Sequence, residues 1–157
     1  MLCVTEIEEP IWRNVWSWHL GSEDTTSSTR SVEDLSQLLL SPEDDILVVG
    51  EGIETMLSLS EAIPGLPVWA ALSSGHLGAV LLPEGLQRLY IAIDRDPAGH
   101  RAAEKLSARA SEVGIGCHVL EPRLGDFNDD LRANGKDALR QHLAGQIGPE
   151  DRHRLLG

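Results

Sequence analysis

From residue 46 onward the chain repeats one pattern: a short apolar run stops abruptly at a carboxylate or a glycine, and a helical pattern follows. Ile46-Leu-Val-Val-Gly50 ends in Glu51-Gly52 ahead of Ile53–Ala62, and Leu89-Tyr-Ile-Ala-Ile93 ends in Asp94-Arg-Asp96 ahead of Pro97. Cys117-His-Val-Leu120 runs through a loop with Pro122 and Gly125 into Asp126-Phe-Asn-Asp-Asp130. The pattern predicts strand 46–50, helix 53–62, strand 67–71, short helix 76–82, strand 88–93, helix 97–113, strand 116–120 and helices at 128–134 and 136–144. Regular alternation of this kind requires right-handed crossovers and a parallel sheet covered on both faces, an α/β fold. A parallel sheet delivers every strand end to one edge, and that edge is where open α/β sheets bind ligands.

Asp94 and Asp96 are the most informative pair. Side chains on a strand alternate faces, so residues two apart share a side, and both acids should face one crevice with Arg95 turned away. Like charges held that close raise each other's pKa unless a cation or solvent reaches both. A purely structural reading is also available, in which Asp94 ends the strand and Asp96 caps the helix that opens at Pro97. Glu51 and Asp126, each also following a strand-like run, shift the balance toward a shared acidic site.

Residues 1–45 differ from the rest. Ile11–His19 carries Trp12, Trp16 and Trp18 partly in strand phase, Gly21–Thr29 is a polar low-complexity stretch that reads as a flexible linker, and Ser31-Val-Glu-Asp34 opens a short helix through Leu40. This N-terminal appendage is expected to precede a single domain at 46–147, with 148–157 as a frayed tail. No apolar stretch approaches the roughly 20 residues that cross a bilayer, and the first residues lack signal-peptide regions, so a cytoplasmic protein is expected. Cys3 and Cys117 have no CxxC spacing, which suggests neither a disulfide framework nor a zinc site, and Cys117 reads as a buried apolar residue.

The net charge of −12 argues against a conventional basic nucleic-acid surface. Residues 1–45, however, hold ten acids and two bases, a balance of −8 that leaves −4 for the remainder. Four acids gathered around metal would account for that −4, with Arg95, Arg101, Lys105, Arg109 and Arg123 available beside the site. Arg109, farthest from the start of its helix, reads as part of a solvated face.

Several chemistries fail on their own requirements. In Gly50-Glu-Gly-Ile-Glu-Thr55 the third glycine of a dinucleotide loop is Thr55, no acid ends the second strand, and Glu51 would sit against a pyrophosphate. There is no Walker lysine and no G-x-S-x-G elbow. A magnesium site fits the residues better, because Mg²⁺ takes a few carboxylates and keeps positions for water and phosphate oxygens.

The chain resembles Toprim domains, the catalytic modules of primases, topoisomerases and some nucleases. The resemblance rests on Glu51-Gly52 after the first strand, Asp94-Arg-Asp96 after a later one, Gly99 three residues on, and Asp126-Phe-Asn-Asp129. The wording Val49-Gly-Glu-Gly-Ile-Glu-Thr55, Pro67-Val-Trp-Ala-Ala-Leu72 and Asp94-Arg-Asp-Pro-Ala-Gly99 is most similar to phage- and plasmid-borne primases and primase-helicases. It covers residues 46 to about 134.

The resemblance implies a Rossmann-like four-stranded parallel sheet and Mg²⁺ as cofactor, with Mn²⁺ as a substitute. Glu51, Asp94 and Asp96 would be catalytic, Asp126 would join them as a metal ligand, and Gly52, Arg95, Gly99 and Arg101 would contact substrate. The implied activity is primer synthesis in DNA replication, with a DNA template and nucleotides as partners and a helicase or polymerase subdomain on another chain. Residues 1–45 are too short for the polymerase and zinc modules of such primases, and Tyr90, the only tyrosine, sits within a strand, unlike a topoisomerase nucleophile. A small nuclease and a non-catalytic module binding a replication partner are the competing readings. His76 reads as a loop histidine capping the next turn or facing the crevice, His100 and His118 as structural or exposed, Glu54 as a helix-start acid or a support to the metal site, and Asp129 and Asp130 as helix-start acids.

Overall fold

The computed structural model describes residues 45–157. The expected tryptophan-rich strand, the linker at 21–29 and the helix from Ser31 lie outside the described residues. Four strands, β1 (Ile46–Gly50), β2 (Val68–Ala70), β3 (Arg88–Ala92) and β4 (Gly116–Leu120), form one parallel sheet in the order β2-β1-β3-β4. Between and after them lie α1 (Ile53–Ala62), α2 (Ser74–Leu77), α3 (Pro97–Glu112), α4 (Phe127–Asn134), α5 (Lys136–Gln146) and α6 (Pro149–Leu156). The four-stranded parallel α/β fold expected from the alternation is the fold observed.

β1 is flanked on both sides and buried at all five positions, which explains its unbroken apolar composition. Alternation along the strands divides the core. Ile46, Val48, Tyr90 and Ala92 join Met56, Leu59, Phe127, Leu139 and Leu143 in one cluster under α1, α4 and α5. Leu47, Val49, Leu89 and Ile91 turn to the opposite face, where α2 and α3 pack together and bury Leu77, Ala102, Leu106 and Ala110.

Several elements differ from expectation. β2 is shorter than the expected 67–71, and the helix expected at 76–82 is Ser74–Leu77, because the Ser73 side chain accepts a hydrogen bond from the His76 amide and starts the turn earlier. His76 itself is exposed. Arg109 is not part of a solvated face: its Nη1 donates to the carbonyls of Gly78 at 3.1 Å and Val80 at 2.9 Å, tying α3 to the loop after α2. Cys117 is half-buried rather than buried, being on edge strand β4, and burial raises its thiol above the ordinary value.

The segment 148–157 is not a frayed tail. It forms α6, opened by Pro149 at the first helical position and by Glu150 and Asp151 in the first turn. Asp151 is completely buried; its Oδ2 accepts a 2.6 Å hydrogen bond from the Tyr90 hydroxyl, which in turn accepts from the Gly148 amide at 3.1 Å. Asp151 Oδ1 lies 2.6 Å from Arg88 Nε, a charge contact that is not aligned as a directed hydrogen bond. Arg88 also reaches Asp45 at 3.3 Å, and Arg154 of α6 reaches the other oxygen of Asp45 at 2.7 Å. The composition of the segment is polar, but its one buried charge is neutralised by Arg88 and hydrogen-bonded by Tyr90, the latter 61 positions away.

Removing one member of a buried ion pair strands its partner, so Asp151→Ala is expected to destabilise the fold by about 3 kcal/mol. Tyr90→Phe, which removes the two hydrogen bonds of the hydroxyl, to Asp151 and from Gly148, and leaves the ring in place, should cost about 2 kcal/mol. Denaturant unfolding followed by circular dichroism checks both; equal, negligible losses would mean that α6 contributes nothing to the core.

Candidate metal centre at the carboxyl edge of the sheet

The strand order reverses direction at β1 and β3. The chain leaves β1 toward β2 on one side and leaves β3 toward β4 on the other, so the loops carrying Glu51 and Asp94 diverge above adjacent strands. Gly50 pairs with Ala92 across this switch. A Cβ at Gly50 would stand 2.9 Å from the Ala92 carbonyl oxygen, so only glycine lets the two strand ends run this close.

Glu51 is half-buried directly after β1, and Gly52 takes extended geometry as the cap of α1. The Glu51 carbonyl accepts from the Leu72 amide at 2.8 Å, which fastens the loop after β2 to the one after β1. Leu72 makes this bond at φ 68°, a left-handed conformation costly for a leucine, with its side chain 62% exposed.

Asp94 and Asp96 lie beyond the end of β3, so strand alternation is not what places them. The Asp96 amide donates to the Asp94 carbonyl at 2.8 Å, closing a tight turn. Asp96 then caps α3, its Oδ1 accepting from the Ala98 and Gly99 amides at 2.8 and 2.7 Å. The structural reading of Asp96 is therefore correct as far as it goes, and it occupies one of the two carboxylate oxygens. Asp126 does the same for α4, with Oδ1 2.7 Å from the Asp129 amide. Gly99 is buried, and a Cβ there would lie 2.7 Å from the Asp94 carbonyl oxygen; this position has no room for a side chain.

Two residues that the sequence did not single out for this purpose complete the frame. Arg95 donates from its amide to the Gly125 carbonyl at 2.8 Å and from Nη1 to the Arg123 carbonyl at 2.7 Å. Asp130, an acid of the first turn of α4 as expected and also buried, accepts the Arg123 and Leu124 amides at 2.7 and 2.9 Å. Together they lash the loop before α4 to the turn after β3 and carry Asp126 toward Asp94. Thr55, buried in the first turn of α1, places its hydroxyl 3.5 Å from Asp94 Oδ1. Its position in Gly50-Glu-Gly-Ile-Glu-Thr55, one turn beyond Glu51, was the only sequence signal for it.

The electrostatics show which acids share a space. Burial pushes the half-buried Asp94 carboxyl above its ordinary value; the charges of Glu51, Asp126 and Asp96 raise it further, in that order, and the Thr55 hydroxyl offsets a part. The other three expected acids thus all act on Asp94. Arg101 lies outside this group, exposed on α3. Among the described residues none of the four acids makes an ion pair with a described cation, and no three His, Cys, Asp or Glu side chains close into a metal-binding cluster. The donor set is entirely oxygen and anionic, and it leaves a free oxygen on each of the two capping carboxylates, which is the chemistry a hard divalent cation requires.

The Toprim domain model matches residues 46–137, more than half of the chain. The chain belongs to the Toprim family. Its sheet, Glu51-Gly52, Asp94-Arg-Asp96 and Asp126 all fall within the matched range, whereas most of α5 and all of α6 lie beyond it. Among solved structures, the chain is similar to the Aquifex aeolicus primase crystal structure containing zinc-binding and RNA polymerase domains. The identity is 24% and the TM-score 0.45, over 67% of this chain and 27% of that one. This chain therefore spans about a quarter of that protein's length. No curated protein matches it. No helix among the described residues is long and apolar enough to cross a membrane.

With its carboxyl raised in the folded state, Asp94 binds protons more readily folded than unfolded. Stability of the Toprim domain should then fall as pH rises from the ordinary carboxylate value of 3.8 through the folded value, and the penalty should persist at neutral pH. Asp94→Asn is expected to melt at a higher temperature than the wild type at pH near 7 without metal, and to flatten that decline. A lower melting temperature for the variant would show that the Asp94 charge is compensated. Gly99→Ala should cost about 1–3 kcal/mol by forcing α3 away from the Asp94 backbone, checked by chemical denaturation.

Proposed function

We propose that this Toprim protein is a Mg²⁺-dependent enzyme of the primase type that acts on nucleic-acid phosphodiesters, working within a larger enzyme or with a partner. The observation that carries the reading is Asp94: a half-buried carboxylate surrounded by three others, with no described cation beside it, at the edge where α/β sheets bind ligands. Folding four carboxylates together without a counter-charge costs stability, so the arrangement favours a ligand that brings positive charge.

In this reading Glu51, Asp94, Asp96 and Asp126 hold the metal, with Mn²⁺ able to replace Mg²⁺. The bound ion would supply neutralisation of phosphate charge and orientation of the reacting oxygens. The protein's own residues do the rest. Asp96 and Asp126 each present their second oxygen from a rigid helix start, since the first is held by backbone amides. Thr55 orients Asp94, and Glu51, directly after β1, serves as a metal ligand or takes the proton from an attacking hydroxyl through a bound water. Arg95 and Asp130 are positioning residues that keep Asp126 in reach. Phosphoryl transfer depends chiefly on such placement and charge stabilisation.

Mg²⁺ or Mn²⁺ at a hundredfold excess over its dissociation constant should add about 2.7 kcal/mol of stability, visible as a higher melting temperature. The rise should be smaller in Asp94→Asn and Asp96→Asn; equal rises in all three proteins would reject the metal site. Activity separates the competing chemistry. Template-directed ribonucleotide incorporation when a polymerase-type subdomain is added supports the primase reading, and nicking of supercoiled plasmid without nucleotides would select the nuclease instead. Either activity should be abolished by Glu51→Gln combined with Asp94→Asn.

A further inference from the structure

Beside the carboxylates lies a second feature of opposite charge. α2 and α3 enclose a shallow groove of about 230 Å³, lined by Ser74, Gly75 and Gly78 on one wall and by Ala98, Arg101 and Lys105 on the other. No carboxylate lines it. Arg101 and Lys105 are one helical turn apart, so both side chains project on the same face of α3, and both are exposed. The third member of that stripe, Arg109, is committed to the Gly78 and Val80 carbonyls and so braces the groove floor instead of facing ligand.

The opposite wall is built without bulk. A Cβ at Gly75 would meet only Ser73 Oγ, at 3.9 Å, and a Cβ at Gly78 would stand 3.1 Å from Lys105 Cδ, so glycine there lets the lysine stem lie against α2. One end of the groove, at Ala98, adjoins Asp96, whose carboxylate contacts the Ala98 amide and belongs to the acidic group around Asp94. A chain of phosphates laid along the groove would therefore meet two cations and then arrive at the acidic edge.

We propose that the α2–α3 groove binds the sugar-phosphate backbone of a nucleic-acid strand and leads it to the carboxylate site. The proposal rests on the reading of that site as a phosphodiester enzyme, and it names a contact surface outside the carboxylates. The shared chemistry is phosphate, from a strand or from a free nucleotide. The open, shallow, side-chain-poor form of the groove suits an extended strand that is gripped by its backbone and whose sequence is not read. Gripping by two cations also predicts a measurable salt dependence, because each neutralised phosphate releases counterions.

The test is binding of a fluorescein-labelled single-stranded oligonucleotide to the full-length chain by anisotropy, across a salt series, in EDTA and in Mg²⁺. Arg101→Gln with Lys105→Gln should weaken binding about tenfold at roughly 50 mM salt and reduce the slope of log affinity against log salt by about 1.4, two phosphates' worth for a single strand. Arg101→Lys should keep the slope. Arg132→Gln with Lys136→Gln, exposed bases on α4 and at the start of α5, should leave it unchanged. Melting curves and the Mg²⁺-induced rise in melting temperature should be the same in the wild type and the Arg101/Lys105 variant. An unchanged slope in that variant overturns the proposal, as does an equal loss in the Arg132/Lys136 control, no strand binding by the wild type, or a loss confined to free nucleoside triphosphate. The slope difference in EDTA keeps the two ideas separable: a wild type that shows it without any Mg²⁺-induced stabilisation retains the groove and loses the metal reading.

Discussion

Everything at the site follows from the parallel pairing of β1 with β3. The two strands run in register over five residues, from Ile46 opposite Arg88 to Gly50 opposite Ala92. A one-residue slip across this ladder would exchange the two buried faces, since Val48 and Tyr90 face one helical layer and Val49 and Ile91 the other, and each layer is packed for the side chains it now receives. Once that register is set, the chain can only leave β1 and β3 side by side at the same height. Glu51 and Asp94 then become neighbours although 43 positions separate their numbers.

The acids at this edge are used twice. Asp96 and Asp126 each satisfy the otherwise unpaired amides of a helix start, and each remains close enough to Asp94 to raise its carboxyl. A structural cap and a ligand are therefore not alternatives here, because a carboxylate has two oxygens and the cap occupies one. The cap also removes the rotational freedom of the side chain before any cation arrives, so less entropy remains to be lost on binding. The cost is concentrated on Asp94, which has no amide to neutralise it and only the distant Thr55 hydroxyl as a donor.

The opposite end of the sheet is held by a different kind of polar contact. Tyr90, Arg88, Asp45, Asp151 and Arg154 form a connected set that docks α6. The Arg154 guanidinium holds the Asp45 carboxyl below the usual carboxylate range, with Arg88 adding to the effect, so this contact keeps its stabilising charge above the ordinary carboxylate value and loses it in acid. The two ends of the sheet thus respond oppositely to pH: protonation relieves the carboxyl edge and loosens the α6 latch.

Sequence alone determined the class of fold, the order of its elements and the identity of the acidic edge. Apolar period, capping residues and terminal carboxylates are local properties, and a parallel sheet leaves no choice about which ends gather. The same locality explains the errors. Alternation along β3 was extended past Ala92 to Asp96, where a tight turn takes over. Arg109 looked like a solvated charge, and Asp130 like a helix-start acid and nothing more, because their partners, the carbonyls of Gly78 and Val80 and the amides of Arg123 and Leu124, are backbone groups with no signature in the sequence. The 148–157 segment looked like a tail because Asp151 is buried only by virtue of Tyr90 and Arg88 on a strand far away. What only the tertiary structure decided was which charges are partnered, since that depends on through-space distances between segments whose separation along the chain carries no information.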